Sequence, residues 1–337
     1  MTAGRYAPRN SGASSSVGPT MRLLPANAAR AVSILLVAAG LVAGCSSTPA
    51  ASAGADPAHD KLAQIKARGT LILPTDPAYP PSSFAVEGAT RTAGTRCQVN
   101  QTTRAELDGY DVSVGNLIAD AIGVEPCYVV PTWTEMIAGH WADRWDIAFA
   151  SIGVTEERMP GLYFTKPYIG SPERIWVRTD SKAKQMSDLD GERIGVCTAC
   201  WADLYLQKRL TVPGMSIDYK IDDAKIVGYA VEVAGLQDVA DGKLDAFLCA
   251  DTVAQGLIDK GVKIRGLEPA AYIGIPAGAI DKTSGRDVRS LFDFANQTLT
   301  ARFTDGSLKA LSMKYFGHDY ATAAAGIDPA SFAQDIH

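Results

Sequence analysis

The sequence predicts an α/β protein built as two lobes, and three observations lead there. Short apolar runs alternate with helix-period segments from Lys61 onward, the pattern of strands joined by crossover helices. The folded part, about 260 residues, exceeds what one hydrophobic core usually covers. With 47% hydrophobic and 20% charged residues, the chain is too apolar for a disordered tail and lacks the bias of a collagen-like or polytopic membrane protein.

The front of the chain stands apart. The first 44 residues hold the basic Arg5, Arg9, Arg22 and Arg30 and no acidic residue, so the remainder sets 28 basic against 37 acidic residues, a net −9. A body this acidic lacks the clustered Lys and Arg that phosphate neutralisation requires, which excludes nucleic-acid binding. From Met21 the chain reads as an export signal: Arg22 and Arg30, then the apolar Ala31–Ala43, ending in small residues. That run is too short to span a bilayer, which takes about 20 apolar residues.

The run closes on Val42-Ala43-Gly44-Cys45 and a Ser/Ala/Pro-rich stretch, which resembles a bacterial lipobox; an ordinary small-residue cleavage site containing a Cys is the alternative. Acylation of Cys45 would hold the protein by its lipid to the outer face of the cytoplasmic membrane. Residues 1–44 are then leader and signal, and residues 45–59 a flexible tether. Cys97, Cys127, Cys197, Cys200 and Cys249 remain. Their odd number leaves at least one thiol over if an oxidising compartment bridges the others.

Strands are expected at Leu71–Leu73, Cys127–Val130, Asp146–Ala150, Ile175–Val177, Ile194–Cys197, Ala246–Cys249, Val262–Ile264 and Tyr272–Ile275. In Asp111–Ile122 the residues Val114, Leu117, Ile118, Ala121 and Ile122 share one helical face, and Gly123 supplies the stop. Thr132 and Glu135 form a capping box for the next helix, and Val288, Leu291, Phe292, Ala295 and Leu299 line one side of a helix from about Arg286 to Arg302. The polar, aperiodic stretch Glu87–Leu107 reads as a surface insertion.

Two clusters carry chemistry. Lys61–Phe84 pairs a short amphipathic helix with a strand that ends in Thr75-Asp76-Pro77-Ala78-Tyr79-Pro80-Pro81, and ligands gather at the C-terminal ends of parallel strands. Asp146–Arg158 again places small polar residues past a strand. Thr155 can cap a turn whose amides favour an anion, and Arg158 can add a bidentate fork for a carboxylate.

The ordered segments TDPAYPP, GYDVSVGNLIADAIGV, WDIAFASIGVTEER, YFTKPY, LDGERIGV, KLDAF and TDGSLKALSMKYFG resemble the family 3 extracellular solute-binding proteins, the amino-acid receptors of bacterial ABC importers. The resemblance runs from about Lys61 to Gly317. It implies a type II periplasmic-binding-protein-like fold, each lobe a mixed, mainly parallel sheet flanked by helices, joined by two crossing strands and closing like a hinge. Lobe 1 would comprise residues 60–173 and 271–322, lobe 2 residues 174–270, with residues 323–337 as a C-terminal tail.

The same resemblance implies site roles. Tyr79 would cover the ligand, with Asp76 and Phe84 shaping the wall. Ser151 and Gly153 would offer donors, and Arg158 would hold the α-carboxylate. In lobe 2 a Gly-Thr-Thr type loop normally donates to the carboxylate; here it reads Cys197-Thr198-Ala199-Cys200-Trp201, without the matched hydroxyls, which puts Cys200 and Trp201 beside the pocket. Asp251 is the candidate for the ligand ammonium, one residue later than usual. Gly153 stands where Ser or Thr is common.

Trp133 and Trp141 read as packing residues. The Cys197-x-x-Cys200 pair reads as a structural disulfide or free thiols more readily than as a redox centre, and Cys97 and Cys127 could bridge and pin the insertion. His59, His140, His318 and His337 show no ligand spacing, so neither metal nor cofactor is expected. The implied function is a monomeric, lipid-anchored receptor, without catalysis, that passes an amino acid or related carboxylate to an ABC permease. A cyclohexadienyl or arogenate dehydratase-like enzyme on the same fold, or a sensor signalling to a membrane partner, is the alternative.

Overall fold

The computed structural model describes residues 55–337; the expected signal stretch Ala31–Ala43 and the expected lipidation site Cys45 lie outside the described residues. No helix among the described residues is long and apolar enough to cross a membrane.

In the first lobe the Asp60 carboxylate accepts the Ala63 N–H at 2.7 Å and starts the helix Lys61–Arg68. The fully buried strand Thr70–Pro74 follows and pairs in parallel with Glu125–Val129, from Thr70↔Glu125 to Pro74↔Val129. Between these strands runs the helix Tyr110–Ile122, which buries Val114 and Ile118 and stops at Gly123. The capping box forms as expected: Glu135 accepts the Thr132 N–H at 2.9 Å and opens the helix Trp133–Ala138.

The expected strand Asp146–Ala150 is reduced to one bridge, Ala148 to Ala279. Its link to the first strand is one backbone bond, from the Asp146 N–H to the Ile72 carbonyl at 2.9 Å, and one side chain. The Asp146 carboxylate accepts the Ile72 N–H at 2.8 Å and meets the buried Lys61 ammonium at 2.9 Å, so a regular ladder does not develop.

The second lobe is a six-stranded sheet in the order Lys225–Tyr229, Arg193–Cys197, Ala246–Ala250, Ser171–Arg178, Ile264–Gly266, with Tyr272–Gly274 also pairing with Ser171–Arg178. The first three strands are mutually parallel, and Ser171–Arg178 runs antiparallel to its neighbours. The chain crosses between lobes twice. It leaves through Leu162–Pro167 into Ser171–Arg178 and returns through Tyr272–Gly274 into Ala277–Asp281, which pairs antiparallel with Leu162–Pro167.

Three strands of five or more residues went unforeseen. Leu162–Pro167 and Ala277–Asp281 are buried at every position, so neither shows the period-two alternation of a half-exposed strand. Lys225–Tyr229 is a largely exposed edge strand with a Lys and a Gly, features that dilute a strand signal.

The packing follows these layers. One apolar cluster centres on Ile65, Leu71, Tyr110, Ile118, Leu291 and Leu299, and a second on Trp176, Leu236, Phe247 and Val253. A third is continuous across the crossing region, from Trp141 and Ile152 to Trp201, Tyr205 and Tyr272. The final segment, residues 323–337, packs on lobe 1: Phe332 is buried, and the Gln334 amide brackets Phe164 by accepting its N–H at 2.6 Å and donating to its carbonyl at 2.8 Å.

The Glu87–Leu107 insertion is better ordered than its aperiodic sequence implies. Thr102–Thr103 adds an antiparallel strand to Glu125–Val129, and Cys97 and Cys127 form a disulfide closing a separation of 30 residues. Constraining a loop of that length in the unfolded chain is worth about 3–4 kcal/mol. The double variant Cys97→Ser/Cys127→Ser is therefore expected to lose about that much stability, measured by urea unfolding, while the Cys197–Cys200 bridge stays intact on non-reducing peptide mapping.

Candidate functional site

Where the lobes face each other lies a cavity of about 490 Å³, a size suited to a small organic ligand. Asp76, Tyr79, Ser151, Gly153, Arg158, Cys200 and Trp201 line it, so seven of the nine candidates from the sequence come together. Phe84 and Asp251 are not among the lining residues. Phe84 pairs in the lobe 1 ribbon opposite Ala78 and Asp108.

Asp251 fails to reach the cavity because its charge is already matched. It sits at the first position of the helix Asp251–Ile258, where both carboxylate oxygens accept from the Arg174 Nε, at 2.8 and 3.0 Å. The residue before it, Ala250, lines the cavity instead. Ala250 stands directly across the antiparallel ladder from Glu173, and that carboxyl lines the wall. Gly274 makes room for it, since a Cβ there would lie 2.7 Å from the Glu173 Oε1.

Arg158 is the only basic residue lining the cavity among the described residues. It is 6% exposed and has no acidic partner within ion-pair distance. Its guanidinium donates to the Gly153 carbonyl of lobe 1 at 2.8 Å and to the Ala199 carbonyl of lobe 2 at 2.9 Å, and it lies over the Trp133 ring at 5.4 Å. Burial lowers its pKa to about 10, so it stays charged at neutral pH. Guanidinium donors left over after those two bonds have no protein carboxylate within ion-pair distance to receive them.

Trp133 thus belongs to the cavity wall, against its expected role in packing; Trp141 packs as expected, fully buried beside Trp145 at 5.3 Å. The capping box places Trp133 at the first helical turn, and its indole N–H donates to the Ala199 carbonyl at 3.4 Å.

Ser151 is fixed by its surroundings. Its φ of 51° is in the left-handed region; its N–H donates to the Tyr168 hydroxyl at 2.9 Å and its hydroxyl to the Asp111 carboxylate at 2.7 Å. Both of its donors are therefore engaged, and Ser151 presents an acceptor to the cavity. Asp111 itself is raised to about 7 by burial, with the Ser151 and Tyr168 hydrogen bonds opposing that rise.

The lobe 2 loop differs from an anion-donating loop in a similar way. The Ala199 N–H is taken by the Asp203 carboxylate at 2.8 Å, while its carbonyl turns toward Arg158 and Trp133. A Cys197–Cys200 disulfide holds this turn. Sulfurs of both residues and a Glu232 oxygen lie within 4.8 Å of one another, but sulfurs bonded to each other are not thiolate ligands, so the cluster contributes a carboxyl to the wall rather than a metal site.

Glu173 and Glu232 are the site residues that sequence reasoning missed. Glu232 is 6% exposed, and its Oε2 has no hydrogen-bond partner. Burial raises it to about 7, opposed by the Tyr79 hydroxyl. Glu173 is pushed well above the usual carboxyl range, first by burial and then by the neighbouring Glu232 and Asp251. The available signal for Glu232 was an acid opening a helix just beyond a strand, but the strand Lys225–Tyr229 was itself unrecognised.

Gly153 and Trp201 explain each other. A Cβ on Gly153 would lie 2.1 Å from the Trp201 indole, so the small residue in lobe 1 is what lets the lobe 2 tryptophan close over it. The expected consequence is that Gly153→Ala loses about 1–3 kcal/mol by overpacking. Adding Trp201→Ala should recover most of that loss, read as a coupling in a double-mutant cycle by denaturant unfolding.

A two-lobe fold with a cation and paired carboxyls enclosed between its halves defines a ligand-binding protein of the hinged, two-lobe class. The sequence model of the bacterial extracellular solute-binding proteins, family 3, matches residues 92–318, and the chain belongs to that family. It is 26% identical over 286 residues to the L-cystine-binding protein TcyJ of Escherichia coli (strain K12), covering 84% of this chain and 94% of that one. It is 26% identical over 262 residues to the L-arginine-binding protein of Pseudomonas aeruginosa, covering 75% and 94%. Among solved structures, the ancestral amino-acid-binding protein AncCDT-1, a precursor of cyclohexadienyl dehydratase, superimposes with a TM-score of 0.61 at 23% identity over 76% of this chain and 99% of that one; this likeness concerns the fold.

Proposed function

We propose that the protein captures a small amino acid or amino-acid-like carboxylate between its lobes and delivers it to an ABC-transporter permease. The observation that carries this is Arg158: a buried, charged guanidinium on the cavity wall with spare donors and no protein carboxylate. A ligand carboxylate supplies the missing charge, and Tyr79, Trp133 and Trp201 enclose the rest. Relatives named for binding L-cystine and L-arginine support an amino-acid cargo.

Lobe 1 spans residues 60–173 and 271–322 and lobe 2 residues 174–270, with Arg158 and Trp201 on opposite walls. The chain works as a monomer held at the outer face of the cytoplasmic membrane through acylated Cys45. A ligand that bonds to both walls binds the closed form better than the open one, which is what shifts the population toward closure.

A thermal-shift screen against the common amino acids tests the cargo: a binder at about 100 times its dissociation constant adds about 2.7 kcal/mol of stability. Arg158→Ala should then weaken that binder about tenfold to a hundredfold, the range for loss of a charge-assisted hydrogen bond. Undiminished affinity in the variant would remove Arg158 from the binding role.

One observation favours a second reading, an enzyme of the dehydratase type. Glu232 is a buried carboxyl raised to about 7 beside the cavity, the property of a general acid. Turnover of an arogenate-like acid, lost in Glu232→Gln, would establish it; an unchanged acid after prolonged incubation would exclude it.

A further inference from the structure

We infer that the cavity selects α-amino acids carrying a second positive charge, with Arg158 taking the carboxylate while Glu173 and Glu232 take the two cationic groups. This deepens the amino-acid reading and rests on it.

The charge inventory of the wall carries the inference. Asp76, Arg158, Glu173 and Glu232 are the charged residues lining the cavity among the described residues. Asp76 is exposed at the rim, and its carboxylate accepts the Ala78 N–H at 2.9 Å to fix its own turn. The enclosed part therefore opposes one cation to two carboxyl groups.

Neither carboxyl has a cation of the protein within ion-pair distance, in contrast to Asp251, which Arg174 neutralises at 2.8 Å. Glu232 lines the cavity, and its Oε2 is buried without a hydrogen-bond partner. An unpartnered buried carboxyl is costly, and that cost is relieved when a ligand ammonium or guanidinium arrives.

Counting charges separates ligands that share the α-amino acid head. An amino acid with a basic side chain brings one carboxylate and two cations, which mirrors the wall. A neutral one leaves a carboxyl unmatched. L-cystine brings two carboxylates, and once Arg158 holds the first, the second meets no basic residue on the wall. Rejection of the wrong ligand by an unpaired buried group is strong discrimination.

Proton linkage gives an independent handle. In the empty cavity burial holds Glu232 at about 7 and pushes Glu173 well above the usual carboxyl range. The titratable neighbours coupled to this pair are Tyr79, Cys249, Asp251 and Tyr272, all of them acids. A bound cation favours the ionised carboxylates, so binding expels protons, and affinity rises with pH through the neutral range.

The test is isothermal titration of the purified full chain with L-arginine, L-lysine, L-citrulline and L-cystine, in two buffers of different ionisation enthalpy. The expected result is L-arginine or L-lysine binding at least about tenfold more tightly than L-citrulline and L-cystine, with net proton release. Of Glu232→Gln and Glu173→Gln, the one that removes the side-chain partner should lower the arginine-to-citrulline preference about tenfold or more with the citrulline affinity kept, and the one that removes the α-ammonium partner should weaken both ligands together. Should a variant not fold, the wild-type preference and proton count decide alone. L-citrulline or L-cystine binding as tightly as L-arginine overturns the charge selection and leaves the amino-acid receptor standing. No binding by any of the common amino acids overturns both.

Discussion

A buried guanidinium without an acidic partner is the constraint on which the rest of this structure depends. Taking a charge out of water costs several kcal/mol unless something replaces the lost solvation, and burial does depress Arg158 to about 10. The fold compensates only partly, with two backbone carbonyls and an aromatic face. The two carbonyls belong to Gly153 on one wall and Ala199 on the other, so the group that awaits an anion also ties the walls together. Ligand capture and closure thereby act through the same side chain.

The surrounding residues make sense as supports for that geometry. The Cys197–Cys200 bridge and the Asp203 carboxylate hold the turn that aims the Ala199 carbonyl at Arg158. Gly153 clears the space that Trp201 fills. Tyr168 and Asp111 pin Ser151 in its left-handed conformation, at the point where the chain leaves the sheet and enters the wall. The supports at Ser151 and Ala199 engage donors that could otherwise serve the ligand, which concentrates anion recognition on Arg158.

Much of this was legible in the sequence because local signals and global fold agree. The helix at Tyr110–Ile122, the Thr132–Glu135 cap and the parallel strands follow from periodicity and capping chemistry, and the clustering of Tyr79, Ser151 and Arg158 from polar residues past strand ends together with what the family resemblance implies. The acidic side of the cavity was not legible, and the reason is register. Ala250 and Glu173 are 77 positions from being neighbours in sequence but face each other across an antiparallel ladder. Nothing local marks that pairing. Glu232 follows an exposed edge strand with little strand character, and Asp251, the acid that a linear reading prefers, is neutralised by Arg174, itself one residue beyond Glu173. Trp133 was misjudged for a similar reason, since its place on the wall comes from contacts with Arg158 and Ala199 rather than from its own helix.

The most direct measurement is a crystal structure of the protein with L-arginine. The ligand carboxylate should lie within hydrogen-bond distance of the Arg158 guanidinium, with Trp133 and Trp201 against it and the basic groups facing Glu173 and Glu232. A ligand seated away from Arg158, or an Arg158 that has swung onto a protein carboxylate with the cavity empty, would contradict the claim that this charge is kept unpaired for the ligand.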